Sequence, residues 1–328
     1  MLRIRKFDVP VAAANGAPPA RRLLAMLATV GDEHEEGGDE LQHYDEALVY
    51  LHGFPDMSVH PTRLSFASRL PVKLGTAWLQ AQAERQQQKH ARRAFVSFNF
   101  GGIPGSDGEL TFVDKTVGQE VEDAIAVCKY VRTHVLTEGS DASRLHVVGL
   151  STGAIIASLL RSVPKLCDSI TAIAGLLDVA AGVQFDFTAE QLAQFEANGW
   201  CWKEFYLPEE CPLPRNATIS LDGQVAEDEA PELPPEKIYL QLDQRYVDEC
   251  RDGSLNVRAA VSDSNRPPML IVHGDADRNV PVAQGEALFE AAAEPKTWLL
   301  LHGANHLLSN SKHLKKALRA IELHTAAV

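Results

Sequence analysis

Apolar residues along the chain fall into short unbroken runs separated by stretches of helical periodicity. Residues 47–51 (ALVYL) are wholly apolar and stop at His52-Gly53, as a buried central strand ending in a turn does. Residues 94–98, 145–150, 170–176, 269–273 and 297–302 have the same character. Between them, 62–91 is helix-compatible and ends in a polar run. Residues 117–135 repeat Val121, Ala124, Ile125, Cys128 and Val131 at helical spacing. An Ala/Ile/Leu helix is expected over 153–162, and a closing helix with Lys and Arg on its face over 311–323. Two strand-like segments open the chain: 2–8 alternates, 21–30 is apolar, and Asn15-Gly16 with two prolines turns the chain between them. Strand–helix alternation of this kind predicts an α/β protein with a mostly parallel central sheet and helices on both faces. Ligands gather at the carboxyl ends of such strands.

One region breaks the alternation. Residues 178–266 hold a helix opened by Thr188 with Gln191 at capping-box spacing, and the aromatic patch GWCWKEFYLP. A Pro- and acid-rich stretch over 208–236 and a second helical segment near 237–250 follow. That is too long for a plain connection, so 178–266 is expected to be a cap or lid, with residues 1–177 and 267–328 forming the core. Trp200, Trp202, Phe205 and Tyr206 either line a substrate pocket or make the cap's own small core.

Composition narrows the function classes. The 328 residues are 45% hydrophobic and 23% charged, as in a soluble globular protein. A formal net charge of −13 argues against a nucleic-acid partner, which needs basic surface to neutralise phosphates. The five cysteines include no C-x-x-C pair, so reduced thiols in the cytoplasm are expected rather than a disulfide framework or a zinc site. The N-terminal residues lack a signal-peptide core, and no apolar run is long enough to span a bilayer. GDEHEEGGDE (31–40), which surrounds His34 with carboxylates, is read as a solvated loop rather than a metal site. Asn216-Ala217-Thr218 is read as an accidental sequon.

The chemistry-bearing motif is HVVGLSTGA (146–154), in which Gly149-Leu150-Ser151-Thr152-Gly153 fits G-x-S-x-G between a strand and a helix. A strand turning sharply into a helix strains its central residue, and side chains two positions either side would collide. A serine there needs a base. Downstream, LIVHGDADRNVPV supplies Asp275 and Asp277, and LLLHGANHLLSN supplies His302 and His306, giving the order Ser, Asp, His. The Thr152 amide, next after Ser151 and at a helix N-terminus, is one candidate oxyanion donor.

Four segments resemble the α/β-hydrolase superfamily from about residue 45 onward: LHGFPDMS (51–58), FNFGGIPGSDG (98–108), VVGLSTGA (147–154), and VHGDADRNVP with GANH. Within it the chain looks closest to the carboxylesterase (feruloyl/cinnamoyl esterase) and lysophospholipase-like branch. There a G-x-G-x-S-D-G-like turn precedes a helix carrying E-x-x-D, here Glu120 to Asp123. The resemblance implies an α/β-hydrolase fold with a cap insertion, Ser151 as nucleophile, Asp277 as acid and His306 as base. Phe54 becomes the second oxyanion donor, since Pro55 has no N–H. It implies no metal or organic cofactor, and a small-molecule ester or lipid-like substrate. H-G-F-P-D also typifies epoxide hydrolases, but those carry an aspartate where Ser151 stands, so the serine points to acyl transfer. Relatives often have Arg or Asp where this chain has Asn99 before the glycines. A lysophospholipase, a thioesterase, a serine peptidase or a catalytically silent binding protein of the same fold would share these motifs, and the sequence leaves the oligomeric state open.

Overall fold

The computed structural model describes residues 2–11, 21–30, 44–85, 91–137, 142–215, 217–221, 224–225 and 236–328. The acidic segment around His34, the Asn15-Gly16 turn and Asn216 of the sequon lie outside these residues.

In chain order, β1 (Leu2–Val11) and β2 (Arg21–Val30) form an antiparallel pair. Then come β3 (Glu46–Leu51), α1 (Arg69–Arg85), β4 (Arg93–Phe98), a two-residue β5 (Asp107–Gly108), α2 (Val117–His134), β6 (Arg144–Leu150), α3 (Thr152–Leu160) and β7 (Ser169–Ile173). A long excursion follows: α4 (Val179–Asp186), α5 (Ala189–Asn198), β8 (Trp200–Tyr206), β9 (Ile219–Leu221), β10 (Gln224–Val225), β11 (Lys237–Asp243), α6 (Arg245–Arg251) and α7 (Val257–Val261). The chain closes with β12 (Met269–Gly274), α8 (Val282–Ala291), β13 (Lys296–Leu301) and α9 (Ser311–Ala326).

The main sheet has the order β1-β2-β4-β3-β6-β7-β12-β13, with β5 on β2. From β4 to β13 every pairing is parallel, and only the β1–β2–β4 edge and β5 are antiparallel. The apolar runs are continuous because these strands are buried on both sides. In β3, Ala47, Val49 and Leu51 join one hydrophobic cluster while Leu48 and Tyr50 join the other. Helices α2, α3 and α8 cover the first face through Val127, Val131, Ile156 and Leu288. Helices α1 and α9 cover the second through Leu74, Trp78, Leu314 and Ile321. Each such side chain contributes about 1.5–3 kcal/mol on burial.

The excursion between β7 and β12 carries its own antiparallel sheet, β10-β9-β11-β8. Here the sequence reading needs correction. Residues 237–243 are a strand rather than a helix, and helix appears only at Arg245–Arg251. KIYLQLD buries Ile238, Leu240 and Leu242 and leaves the residues between them half-buried, a period of two that the helical reading overlooked. GWCWKEFYLP likewise holds a strand, whose Cys201, Lys203 and Phe205 are buried. The helix expected over 62–91 is described from 69 to 85, and the strand expected to reach 176 ends at Ile173, where Ala174 turns to φ 52°. The capping box is present as expected: Thr188 and Gln191 bond reciprocally, and α5 ends at Gly199 with φ 76°.

Polar contacts tie this sheet and its helices to the strand ends. The His60 ring donates to the Glu209 carbonyl (2.7 Å), Arg63 pairs with Glu210 (2.9 Å), Arg245 pairs with Asp114 (2.8 Å), and the Gly118 amide donates to Glu249 (2.8 Å). Helix α7 packs against α3 and α8.

Candidate active site

Ser151 sits between β6 and α3 with φ 56° and ψ −120°, a left-handed backbone that a residue with a Cβ adopts only at a cost of about 1–3 kcal/mol. The flanking glycines are obligatory on steric grounds. A Cβ on Gly149 would lie 2.0 Å from the Gly153 carbonyl oxygen, and one on Gly153 would lie 2.2 Å from that of Leu51. The turn is held by the Ser151 amide, which donates to the Ile173 carbonyl (2.9 Å). The Ser151 hydroxyl does not cap α3, and the residue lines a cavity of about 930 Å³ between the strand ends and the second sheet.

His306 lines the same cavity, just past β13. Its Nδ1 lies 2.8 Å from Asp277 Oδ2, and the Asp277 side chain is fully buried. A carboxylate only accepts, so Nδ1 carries the proton and Nε2 is left as an acceptor. The amides of Asn279 and Val280 donate to Asp277 Oδ1 at 2.8 and 2.9 Å. Burial opposes ionisation of Asp277, but the His306 hydrogen bond and charge, together with these two amides, outweigh it and hold the carboxyl below its ordinary value. The two local rivals pair with each other instead. His302 Nδ1 meets Asp275 Oδ2 at 2.8 Å on the surface, with the His302 side chain 82% exposed, and neither residue lines the cavity.

The amides of Phe54 and Thr152 have no hydrogen-bond partner among the described residues. Gly53 brings the Phe54 loop against the elbow: a Cβ on it would stand 3.3 Å from that of Ser151. Buried His52 donates from Nδ1 to its neighbour's carbonyl (Gly53, 2.8 Å) and accepts the Phe100 amide at Nε2 (3.4 Å). Burial pushes its pKa down to about 3, against the pull of the Gly53 carbonyl, so the ring stays neutral.

Residues to which the sequence assigned no role also shape the site. Asn99, noted there only as a departure from its relatives, staples the loop after Phe54. Its Oδ1 accepts the Ser58 and Val59 amides (2.9 Å each), and its Nδ2 donates to the Val59 and Pro104 carbonyls (2.8 and 2.9 Å). A polar residue closing a mostly apolar strand was the available signal. The E-x-x-D pair anchors the neighbouring turn. Asp123 accepts from the Gly101 amide (2.8 Å) and Arg21 (2.6 Å), while Glu120 pairs with Lys115 (2.7 Å), which donates to the Gly101 carbonyl.

The cavity's outer wall comes from α5, β8 and β11. Trp202 and Tyr206 line it, joined by Tyr239, whereas Phe205 is fully buried against Phe112. The aromatic patch therefore serves both ends that the sequence left open. Gln191 and Gln194 dock α5 on β8 through the Trp202 carbonyl and amide (2.9 Å each). Asp56 and Asp186 also line the cavity. Burial raises each to about 6, a little offset at Asp56 by the Met57 amide and at Asp186 by Lys203 and His306.

The sequence profile of the alpha/beta hydrolase family matches residues 48–315. The chain belongs to the alpha/beta hydrolase family. This membership places it among hydrolases. Solved structures agree on the fold at low identity. A putative hydrolase from Agrobacterium vitis S4 is 17% identical with a TM-score of 0.62, covering 98% of this chain and 99% of that one. Est1E from Butyrivibrio proteoclasticus with bound ferulic acid is 17% identical with a TM-score of 0.59, covering 98% and 100%. The esterase domain of a Rhodothermus marinus protein is 16% identical with a TM-score of 0.55, covering 98% and 97%. No curated protein sequence matches this hydrolase. Among its described residues, no helix is long and apolar enough to cross a membrane.

Proposed function

We propose that this chain is a serine hydrolase that cleaves carboxylic esters of small molecules, with Ser151 as nucleophile, His306 as general base and Asp277 as the acid that orients it. The observation that carries the reading is the 2.8 Å His306–Asp277 pair, opening into the same cavity as a serine held at a left-handed elbow. His306 Nε2 takes the Ser151 proton as Oγ attacks the ester carbonyl. The oxyanion is met by the Phe54 and Thr152 amides, which are free of other partners among the described residues. The protonated imidazole then gives its proton to the departing alcohol. Water, deprotonated by His306, releases the acid and restores the serine.

In this reading, residues 178–266 act as a cap whose second sheet roofs the cavity, over a core formed by 1–177 and 267–328. The lining favours a compact polar or aryl ester over a lysophospholipid. Polar side chains and the rings of Phe54, Trp202, Tyr206 and Tyr239 dominate it among the described residues. That is compatible with the carboxylesterase branch, where Est1E takes ferulic acid. The buried free cysteines are consistent with a reducing, cytoplasmic setting.

The test is labelling by a fluorophosphonate probe, with Ser151→Ala alongside, followed by an ester chain-length series. Labelling of the wild type alone, with activity falling as the acyl chain lengthens, is the expected result. An unlabelled, folded wild type would favour a silent binding protein, and a preference for long chains, thioesters or peptides would move the substrate class accordingly.

A further inference from the structure

Lys203 breaks the pattern of its strand. In β8 the buried phase is Cys201, Lys203, Phe205, so an ammonium stands where alternation calls for an apolar side chain. The residue is only 9% exposed, yet no carboxylate lies within ion-pair distance of it among the described residues. Other buried cations are differently equipped. Arg93 pairs with Glu46 at 2.6 Å, and Lys115 with Glu120 at 2.7 Å. Arg161, which lacks a paired carboxylate, instead places each of its three nitrogens on a backbone carbonyl: Pro267, Val261 and Ala293.

Among the described residues Lys203 has one such bond, to the carbonyl of Asp186 at the end of α4, and an ammonium has three hydrogens. The helix-end contact is favourable, but it leaves two donors unspent. Rings flank the group, with Phe187 at 4.5 Å and Phe54 at 5.6 Å. Phe54 is the residue whose amide faces the elbow in the reading above, and Lys203 itself lines the cavity with Ser151. The remaining donors therefore share one cavity with Ser151 and stand beside the Phe54 ring. Burial lowers the pKa of Lys203, and the charge of Asp186 opposes that shift.

We propose that Lys203 is the specificity-determining group of this cavity, and that the substrate is an ester whose acyl part carries a carboxylate received by its ammonium. The inference rests on the serine-hydrolase reading and names its substrate class. The remaining charged lining makes the dependence on this one residue sharp. Asp56, Asp186, Glu190 and Glu204 face the same space, and Glu204 is paired with Lys237 (2.8 Å). Lys203 is the only ammonium or guanidinium in the lining among the described residues. With it, one anionic group is accommodated at one position. Without it, the wall repels anions.

The experiment compares the p-nitrophenyl half-ester of adipic acid with its methyl-capped neutral analogue. The wild type is expected to favour the anionic ester in kcat/KM. In Lys203→Met the anionic-to-neutral ratio is expected to fall by about tenfold or more, the usual weight of a charged hydrogen bond, while Lys203→Arg retains most of it. A wild type that prefers the neutral ester overturns the proposal without any variant being made, as does an unchanged ratio in folded Lys203→Met. Calorimetric binding of adipate to Ser151→Ala, with and without Lys203→Met, separates the two readings. If neither ester is cleaved in a Ser151-dependent way, the hydrolase reading fails. Adipate binding that weakens about tenfold without Lys203 would still support the anion site, and equal or absent binding would overturn it.

Discussion

The two sheets of this hydrolase put their polar residues to opposite use. In the main sheet the strands β3, β4 and β6 are mostly apolar and buried on both faces, and the residues that line or shape the cavity stand where they end, at His52, Asn99 and Ser151. In the second sheet, β8 and β11 alternate. One phase enters the hydrophobic core, apart from Lys203, whose side chain reaches the cavity, and the other supplies Trp202, Tyr206 and Tyr239 to the cavity. Parallel strands covered by helices have no side-chain phase left for a ligand, so function is confined to their tips. An antiparallel sheet covered on one side keeps a free phase along its whole length. The first arrangement holds side chains rigidly at the strand ends, and the second presents a surface whose chemistry can vary.

Substitutions at the strand tips should therefore abolish turnover without loss of fold. Ser151→Ala is expected to lower kcat on the order of 10⁶-fold and Asp277→Asn on the order of 10⁴-fold, each with the protein still folded. Asp275→Asn, two residues away in the surface pair with His302, should leave kcat within about twofold. An equal loss from Asp275→Asn would reassign the acid.

Within β8 the two phases should separate in a different currency of measurement. Phe205→Ala removes a fully buried ring and is expected to cost about 3–5 kcal/mol in chemical denaturation. Trp202→Ala should cost roughly 1 kcal/mol and appear mainly as a raised KM. If both changes act alike on stability, the division between core phase and cavity phase is wrong.

At the elbow, Gly149→Ala drives a Cβ into the Gly153 carbonyl oxygen, and because both atoms belong to the backbone neither can swing aside. A loss of about 3 kcal/mol in stability is expected from thermal or urea unfolding. Gly199→Ala, by comparison, meets nothing within 4 Å. Its cost is the φ of 76° alone, about 1 kcal/mol.

A pH-dependent effect concerns Asp56, whose carboxyl burial raises from 3.8 to about 6, the Met57 amide pulling the other way. As pH rises from about 4 to 6, the unfolded chain releases this proton before the folded one does, so the folded protein loses stability across that window. Asp56→Asn keeps an acceptor for the Met57 amide (2.7 Å) and removes the titration. Its unfolding free energy relative to wild type should climb between pH 4 and pH 7 by on the order of 2 kcal/mol. A flat difference would show Asp56 to be ordinarily solvated.

The main sheet was readable from sequence because its signal is one-dimensional: an apolar run of strand length bounded by a turn identifies a buried strand without knowledge of its neighbours. The Ser151 elbow was readable for a similar reason, since steric need puts glycine at 149 and 153. The second sheet was harder. KIYLQLD has a period of two, but it lies beside the helical RYVDECR, and the boundary at Gln244 leaves no Gly or Pro to mark it. Asp275 and Asp277 are equivalent in composition and spacing, and only the resemblance to hydrolases separated them in the sequence. In space the difference is plain, since one is buried under His306 and the other lies on the surface. Lys203 was invisible because a lysine in a strand is ordinarily a solvated one. Its burial depends on Phe54 and Phe187, which come from distant parts of the chain.

Asn99 spends all four of its hydrogen-bonding positions on the chain around it, two amides and two carbonyls in two separate loops. The loop that carries the Phe54 amide is consequently shaped before any ligand arrives, and under the proposed mechanism little ordering entropy would be left to lose when an oxyanion formed there. The variable wall across the cavity can then be altered residue by residue, at 202, 206 or 239, without retuning the donors. A collection of variants limited to those three positions would sample new substrates against a constant catalytic background.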